Sequence, residues 1–187
     1  GNKGLVNLGN TCYMNSALQC LSHLLTFHPN NESFFNSCKK ANEDSLIYEW
    51  FQFQRQMWNN KASESHNPIK LLQRFQRLCI QNDLYFSNFS QNDVDEFLTL
   101  FLDLLHQGIT KEVTMSFSTN VEDEADKINL KSNETWKRFY EKDYSYIVDN
   151  FYSQLLAITS CTECDYYTTN HDPIQVVSLE IPNSAIS

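Results

Sequence analysis

No apolar run in the 187 residues approaches the ~18 that span a membrane. The N-terminus also lacks the basic-then-apolar pattern of an export signal. Basic residues are few: 14 Lys and Arg stand against 23 Asp and Glu, a net charge of −9. That balance argues against a nucleic-acid binder, whose footprint is basic, and suits a basic protein or peptide partner. The six cysteines lack the density of a disulfide framework, which fits a reducing compartment. Glycine and proline are scarce, with 4 of each. What the sequence has instead is aromatic: 13 Phe, 9 Tyr and 3 Trp, too many for a disordered chain. A chain of this size buries roughly 70% of its unfolded surface, enough for one real core. Length allows one domain, or one domain and part of a second. The expectation is a soluble, acidic globular chain of the cytoplasm or nucleus, with neither nucleic acid nor membrane as partner.

The first two-thirds reads as helical. Over residues 11–27, Met14, Ala17, Leu18, Leu21, Leu24 and Leu25 recur at spacings of three and four, the stripe of a buried helix. Pro29, Asn30 and Asn31 end it. A second helix is expected over 44–58, and a third opening at Asn67-Pro68 and running through Leu78. A fourth starts after Ser90, carries Val94, Phe97, Leu98, Phe101, Leu102 and Leu105, and ends at Gly108. A shorter one is expected over 134–146, after a solvated acidic loop at 115–133. The period then changes: 152–160 and 174–181 read as two strands around a turn at 161–165. Helices before strands is the order of an α+β arrangement.

One cysteine has an unusual setting. Gly9 and Asn10 suit a tight turn, and Cys12 falls just after it, in the first turn of a helix. Unpaired N–H groups and the positive end of the helix dipole favour an anion there, so the position favours a nucleophilic thiolate. Asn7, five residues upstream, carries an amide able to donate to a developing oxyanion. The plainer alternative is an ordinary cysteine at a helix start. Further along, Asp93 and Glu96 are three apart and share one face near a helix N-terminus. The plainer alternative there is a capping arrangement, with Ser90 as the cap and Asp93 as the acid in the first turn. Asp95 points elsewhere on that helix and reads as solvated.

Residues 4–21, GLVNLGNTCYMNSALQCL, resemble the cysteine box of the ubiquitin-specific proteases, the papain-like deubiquitinating enzymes. Residues 90–98, SQNDVDEFL, resemble that family's glutamine-aspartate box, with Asn92 where the family has a second glutamine. Residues 151–182 resemble the segment leading into its zinc-binding fingers. The resemblance implies a papain-like α+β fold: a helical thumb over 1–150, then the β root of the fingers over 151–187. It implies Cys12 as nucleophile and Asn7 in the oxyanion hole. Gln91, Asp93 and Glu96 would then hold the arginine-rich tail of ubiquitin, and Cys161 and Cys164 would supply two of four ligands to a structural zinc. The implied partner is ubiquitin or a ubiquitinated protein.

A thiol peptidase also needs a base beside the cysteine. His23 lies eleven residues along the helix of Cys12, about 16 Å up its axis, and His28 just past it. His106 closes the fourth helix, where a cation suits the dipole. His66 sits in a polar loop, and His171 is expected to decorate the CxxC turn. None stands in the Gly-His-Tyr context of the family's base. The resemblance therefore covers the N-terminal half of the core and implies a C-terminal half as partner, carrying the base and a second CxxC pair. Cys20, Cys38 and Cys79 read as core thiols. Two other functions stay open: a non-catalytic ubiquitin-binding module from a truncated core, and a redox-sensing thiol protein.

Overall fold

The stripe of α1 (Cys12–His23) buries Met14, Ala17, Leu18 and Leu21. The computed structural model describes residues 3–24, 27, 31–59, 65–84, 86, 91–118 and 120–180. These form two compact units, Gly1–Thr110 with Ser145–Ile147, and Lys111–Tyr144 with Val148–Ser187.

The first unit is helical because its apolar residues repeat at three and four, and polar side chains cap three of its helices, α2, α3 and α5, while α1 and α4 start without a side-chain cap. Helix α2 (Glu32–Lys39) is capped by Asn31, whose side chain accepts from the Phe34 N–H, and it buries only Phe34 and Cys38. Helix α3 (Leu46–Met57) is capped by Ser45 and buries Leu46, Ile47, Trp50, Phe51, Phe53, Gln54 and Met57. Helix α4 (Ile69–Gln81) turns Leu71, Leu72, Phe75 and Cys79 inward. Helix α5 (Val94–Gln107) does the same with Phe97, Phe101, Leu102, Leu104 and Leu105. Helix α3 packs on α2, α4 and α5, while α1 lies on α5. The core is an aromatic cluster. Trp50 stacks on Phe53 at 5.2 Å and meets Phe27 and Phe101 edge-on, both at 5.5 Å. Such pairs add about 0.5–1.5 kcal/mol beyond their area burial.

The second unit contains α6 (Glu124–Tyr140) and a two-stranded antiparallel hairpin, β1 (Ser153–Ser160) and β2 (Tyr167–Ile174), with α6 against β2. The register runs from Ser153 opposite Ile174 to Ser160 opposite Tyr167. Tyr167 Oη donates to Glu124 Oε2 at 2.7 Å and Lys131 Nζ to Thr169 Oγ1 at 3.3 Å, pinning the helix to the hairpin. A short helix, α7 (Tyr146–Phe151), precedes β1.

Several expectations change. The first helix stops at His23 because Leu24 turns extended, ψ 133°; of its expected terminators, Pro29 and Asn30 lie outside the described residues, and Asn31 instead caps α2. Helix α2 was not foreseen. Of the stretch 115–133 expected as a loop, the described residues up to Asp123 are neither helix nor strand, but from Glu124 the chain is α6, which begins ten residues before the helix expected over 134–146 and ends at Tyr140. Asp123 caps it and Asp126 accepts back from the Asp123 N–H, a capping box built from two of the acids. The second strand is Tyr167–Ile174, directly after the CxxC turn, rather than 174–181. The expected end of that strand, Ile181, is outside the described residues.

Candidate active site

The backbone before α1 makes a left-handed turn, with φ of 91° at Gly9 and 51° at Asn10. Glycine takes this conformation freely and asparagine tolerates it. The turn reverses the chain so that residues 3–8 run back along α1. Two amides spaced i, i+4 on the helix hold them there. Asn15 Nδ2 donates to the Val6 carbonyl at 3.2 Å, and Gln19 Nε2 donates to the Lys3 carbonyl at 2.8 Å. The other edge of the segment pairs with His66: Val6 N–H donates to the His66 carbonyl at 3.0 Å, and His66 N–H to the Gly4 carbonyl at 2.8 Å.

Cys12 is the first residue of α1 and its thiol is exposed. Asn7 folds back onto the turn. Its Oδ1 accepts from Gly9 N–H at 3.1 Å, Thr11 N–H at 3.3 Å and Thr11 Oγ1 at 3.0 Å. Two backbone N–H groups can only donate, so the oxygen of the amide must face them and Nδ2 must face outward. Among the described residues Nδ2 has no partner. The nucleophile-type thiol and a free amide donor thus stand on the two flanks of one tight turn.

Next along the helix, the Tyr13 phenol accepts from Asn92 Nδ2 at 3.0 Å, and its ring meets Phe97 edge-on at 5.9 Å. Burial pushes the Tyr13 phenol up; the Asn92 hydrogen bond opposes this, and the charges of Cys12 and Glu96 add to it. Tyr13 therefore has both the thiol and the Glu96 carboxylate within electrostatic reach, and Asn92, the departure from the resembled motif, ties the two boxes together. Asp93 is itself the cap of α5, accepting from the Asp95 N–H at 3.0 Å. This corrects the expected capping pattern by moving the cap from Ser90, which lies outside the described residues, to Asp93. Asp93, Asp95 and Glu96 line one open depression of about 350 Å³ with Leu84, Thr99 and Leu100. Asp95 is exposed as expected, but it is not turned away: with Glu96, and with Thr99 and Leu100 three to five residues further along the helix, it lines the same depression. Gln91 is exposed.

Two of the histidines are engaged with other groups. His23 Nδ1 is 2.7 Å from the Gln19 carbonyl oxygen, and His106 Nδ1 is 2.8 Å from Ser145 Oγ. The His66 ring lies 5.4 Å from Phe53, and burial, with Lys3 second, holds its pKa below the ordinary value. His171 pairs with Leu156 in mid-strand, four residues after the start of β2, and is buried, so it does not decorate the CxxC turn. Among the described residues its Nε2 has no hydrogen-bond partner. His28 lies outside the described residues.

At the hairpin tip, Cys161 and Cys164 are exposed. The Glu163 N–H donates to Cys161 Sγ at 3.5 Å, and with the Cys164 thiol and N–H it holds the Cys161 thiol below its ordinary value. Among the described residues no group of three or more His, Cys, Asp or Glu could hold a metal ion. Cys38 and Cys79 are buried as expected, but Cys20 is exposed. It sits on the i, i+4 row of Cys12 and Ser16, opposite the buried stripe of α1.

Comparison with known proteins identifies the family and a similar fold. The sequence profile described as ubiquitin carboxyl-terminal hydrolase matches residues 3–182. Over 186 residues the chain is 31% identical to ubiquitin carboxyl-terminal hydrolase Usp2 of Drosophila melanogaster, covering 97% of this chain and 19% of the relative. It is 31% identical to human ubiquitin carboxyl-terminal hydrolase 2, covering 97% and 30%. The match to ubiquitin carboxyl-terminal hydrolase 4 of Saccharomyces cerevisiae is 30% identical and covers 96% and 21%. The chain thus spans less than a third of the length of these relatives. In fold it is similar to a chain of the SAGA DUB module of Ubp8, Sgf11, Sus1 and Sgf73, with a TM-score of 0.55 at 22% identity over 92% of this chain and 35% of that one.

Proposed function

This chain belongs to the ubiquitin carboxyl-terminal hydrolase family, and from that premise we propose that it carries the nucleophile half of a cysteine peptidase that cleaves bonds at the ubiquitin C-terminus. The observation that supports this most is the pairing, across one left-handed turn, of an exposed thiol at a helix N-terminus with an amide whose donor end is turned outward. In this reading Cys12 sulfur attacks the carbonyl carbon and forms a tetrahedral adduct. Asn7 Nδ2 donates to its oxyanion. The C–N bond then breaks, leaving a thioester on Cys12 and releasing the amine, and water hydrolyses the thioester. The proton of the thiol passes to a base and from it to the departing amine. Asp93, Asp95 and Glu96 receive the basic tail of ubiquitin in their shared depression, and Gln91 lies beside them.

In the full-length protein, Cys12→Ala is expected to abolish hydrolysis of a fluorogenic ubiquitin amide while retaining ubiquitin binding. Undiminished turnover by Cys12→Ala would sink the reading. A second reading, a ubiquitin-binding module without catalysis, draws on the engagement of His23 and His106 with other groups; it predicts binding without turnover in the wild type as well.

We also propose that Cys161 and Cys164 form half of a structural zinc site. The turn suits a metal because N–H donation already favours the thiolate at Cys161, and zinc takes such sulfurs with two further ligands. Zinc would lock the hairpin tip and take no part in the cleavage. Metal analysis of the full-length protein should show zinc lost in Cys161→Ser; an unchanged zinc content would exclude the pair.

A further inference from the structure

The buried hydroxyl of Thr11 has a use that packing does not explain. Thr11 is 4% exposed, yet its Oγ1 is fully committed: it accepts from the Leu8 N–H at 3.0 Å and donates to Asn7 Oδ1 at 3.0 Å. The direction of each bond is forced. Leu8 N–H can only donate, so it takes a lone pair of the hydroxyl oxygen; the hydroxyl proton is then left for Asn7. Asn7 Oδ1 already receives the N–H groups of Gly9 and Thr11. With three donors converging on it, a flipped amide would turn two N–H donors of its own against three others. From this geometry we infer that Thr11 is a positioning residue: its hydroxyl fixes the rotamer and flip state of the Asn7 amide, so that Nδ2 is held outward as the oxyanion donor beside Cys12.

This inference rests on the peptidase reading above and adds to it a residue that touches neither substrate nor thiol. The backbone clamps Asn15 and Gln19 hold the whole segment in place. Among the described residues, Thr11 alone reaches the amide through a side chain. An oxyanion donor must be ready at the position where charge develops, since an amide that rotates freely would have to be ordered during the reaction. Removing such a donor outright costs ~10²–10³ in rate. Freeing one of the three restraints on it is expected to cost less, on the order of tenfold.

The test is a kinetic series on the full-length protein with a fluorogenic ubiquitin amide. Thr11→Val keeps shape and removes the hydroxyl; it is expected to lower kcat about tenfold with KM little changed. Thr11→Ser restores the hydroxyl and should recover most of kcat. In an Asn7→Ala background, Thr11→Val should cost nothing further, because the group it orients is gone. Alkylation of Cys12 by iodoacetamide, which forms no oxyanion, should proceed equally in wild type and Thr11→Val. The inference is overturned if Thr11→Val leaves kcat unchanged, if it costs the same factor with and without Asn7, if Thr11→Ser gives no rescue, or if Cys12 alkylation falls in step with kcat. Absence of Cys12-dependent turnover in the wild type would instead overturn the peptidase reading, and this inference with it.

Discussion

Six thiols of one chain occupy three physical settings, and chemistry at the residue scale follows setting rather than residue type. Burial pushes Cys38 up to about 12 and Cys79 up to about 11, so at pH 8 both remain protonated and out of reach of reagents. Cys12 and Cys20 are exposed on α1, but Cys12 stands at the helix N-terminus, where anions are favoured, and Cys20 two turns later. Brief alkylation at pH 8 followed by peptide mapping should label Cys12 ahead of Cys20 and leave Cys38 and Cys79 unlabelled. Labelling of Cys38 or Cys79 in the folded protein would contradict the burial, and a faster Cys20 would remove the special standing of Cys12. The place of Cys12 in a helix start was legible in its neighbours, Gly9 and Asn10 above all. The orientation of Asn7 was not, because it depends on three donors whose convergence exists only once the turn has closed.

At the scale of elements, the N-terminus of α5 combines two tasks in one side chain. Asp93 caps the helix and also lines the carboxylate depression. Asn caps about as well as Asp, whereas Ala loses about 0.5–2 kcal/mol. Asp93→Asn is therefore expected to hold the melting temperature while weakening ubiquitin binding at low salt, with the deficit shrinking as salt rises. Asp93→Ala should lower both. If Asp93→Asn leaves affinity unchanged at every salt concentration, the residue is a cap alone. The other end of α5 makes a different demand. Gly108 has φ −75°, ordinary for any residue, but a Cβ there would come within 2.7 Å of Ile47 Cγ2 at the start of α3. Gly108→Ala should destabilise the protein by about 1–3 kcal/mol in denaturant unfolding through overpacking; a neutral result would show that Ile47 can move aside. Gly108 was readable as a helix end; that its smallness serves contact with α3 was not. Helices with deep stripes, α1, α3, α4 and α5, announce themselves by periodicity. Helix α2 buries two residues and α6 buries none, so neither leaves a strong periodic trace. For α6 the available signal was the pair Asp123 and Asp126, whose spacing is that of a capping box.

At the scale of the whole molecule, the five helices α1–α5 close around an aromatic core, while α6 and the hairpin form a second unit that buries little of its own surface. The 187-residue chain alone is expected to turn over a fluorogenic ubiquitin amide poorly, because no histidine among the described residues bonds to Cys12. Robust turnover by this chain, lost in Cys12→Ala, would show that one of its histidines serves as the base after all. The sequence by itself determined the helical first unit, the family and the candidate nucleophile, because stripe periodicity and a dense local motif are properties of neighbours along the chain. Only the tertiary structure decided which end of the Asn7 amide is free, that Asn92 joins the two boxes through Tyr13, and that Asp95 shares the depression with Asp93 and Glu96. It also placed β2 immediately after the CxxC turn. That strand is polar and mostly exposed, with His171 its one buried residue, so its strand character comes from the ladder with β1 and from no pattern of its own. Such features arise from a turn once it has closed, from the shape of a helix end, from contacts between distant residues or from backbone pairing, and none of these writes a period into the chain.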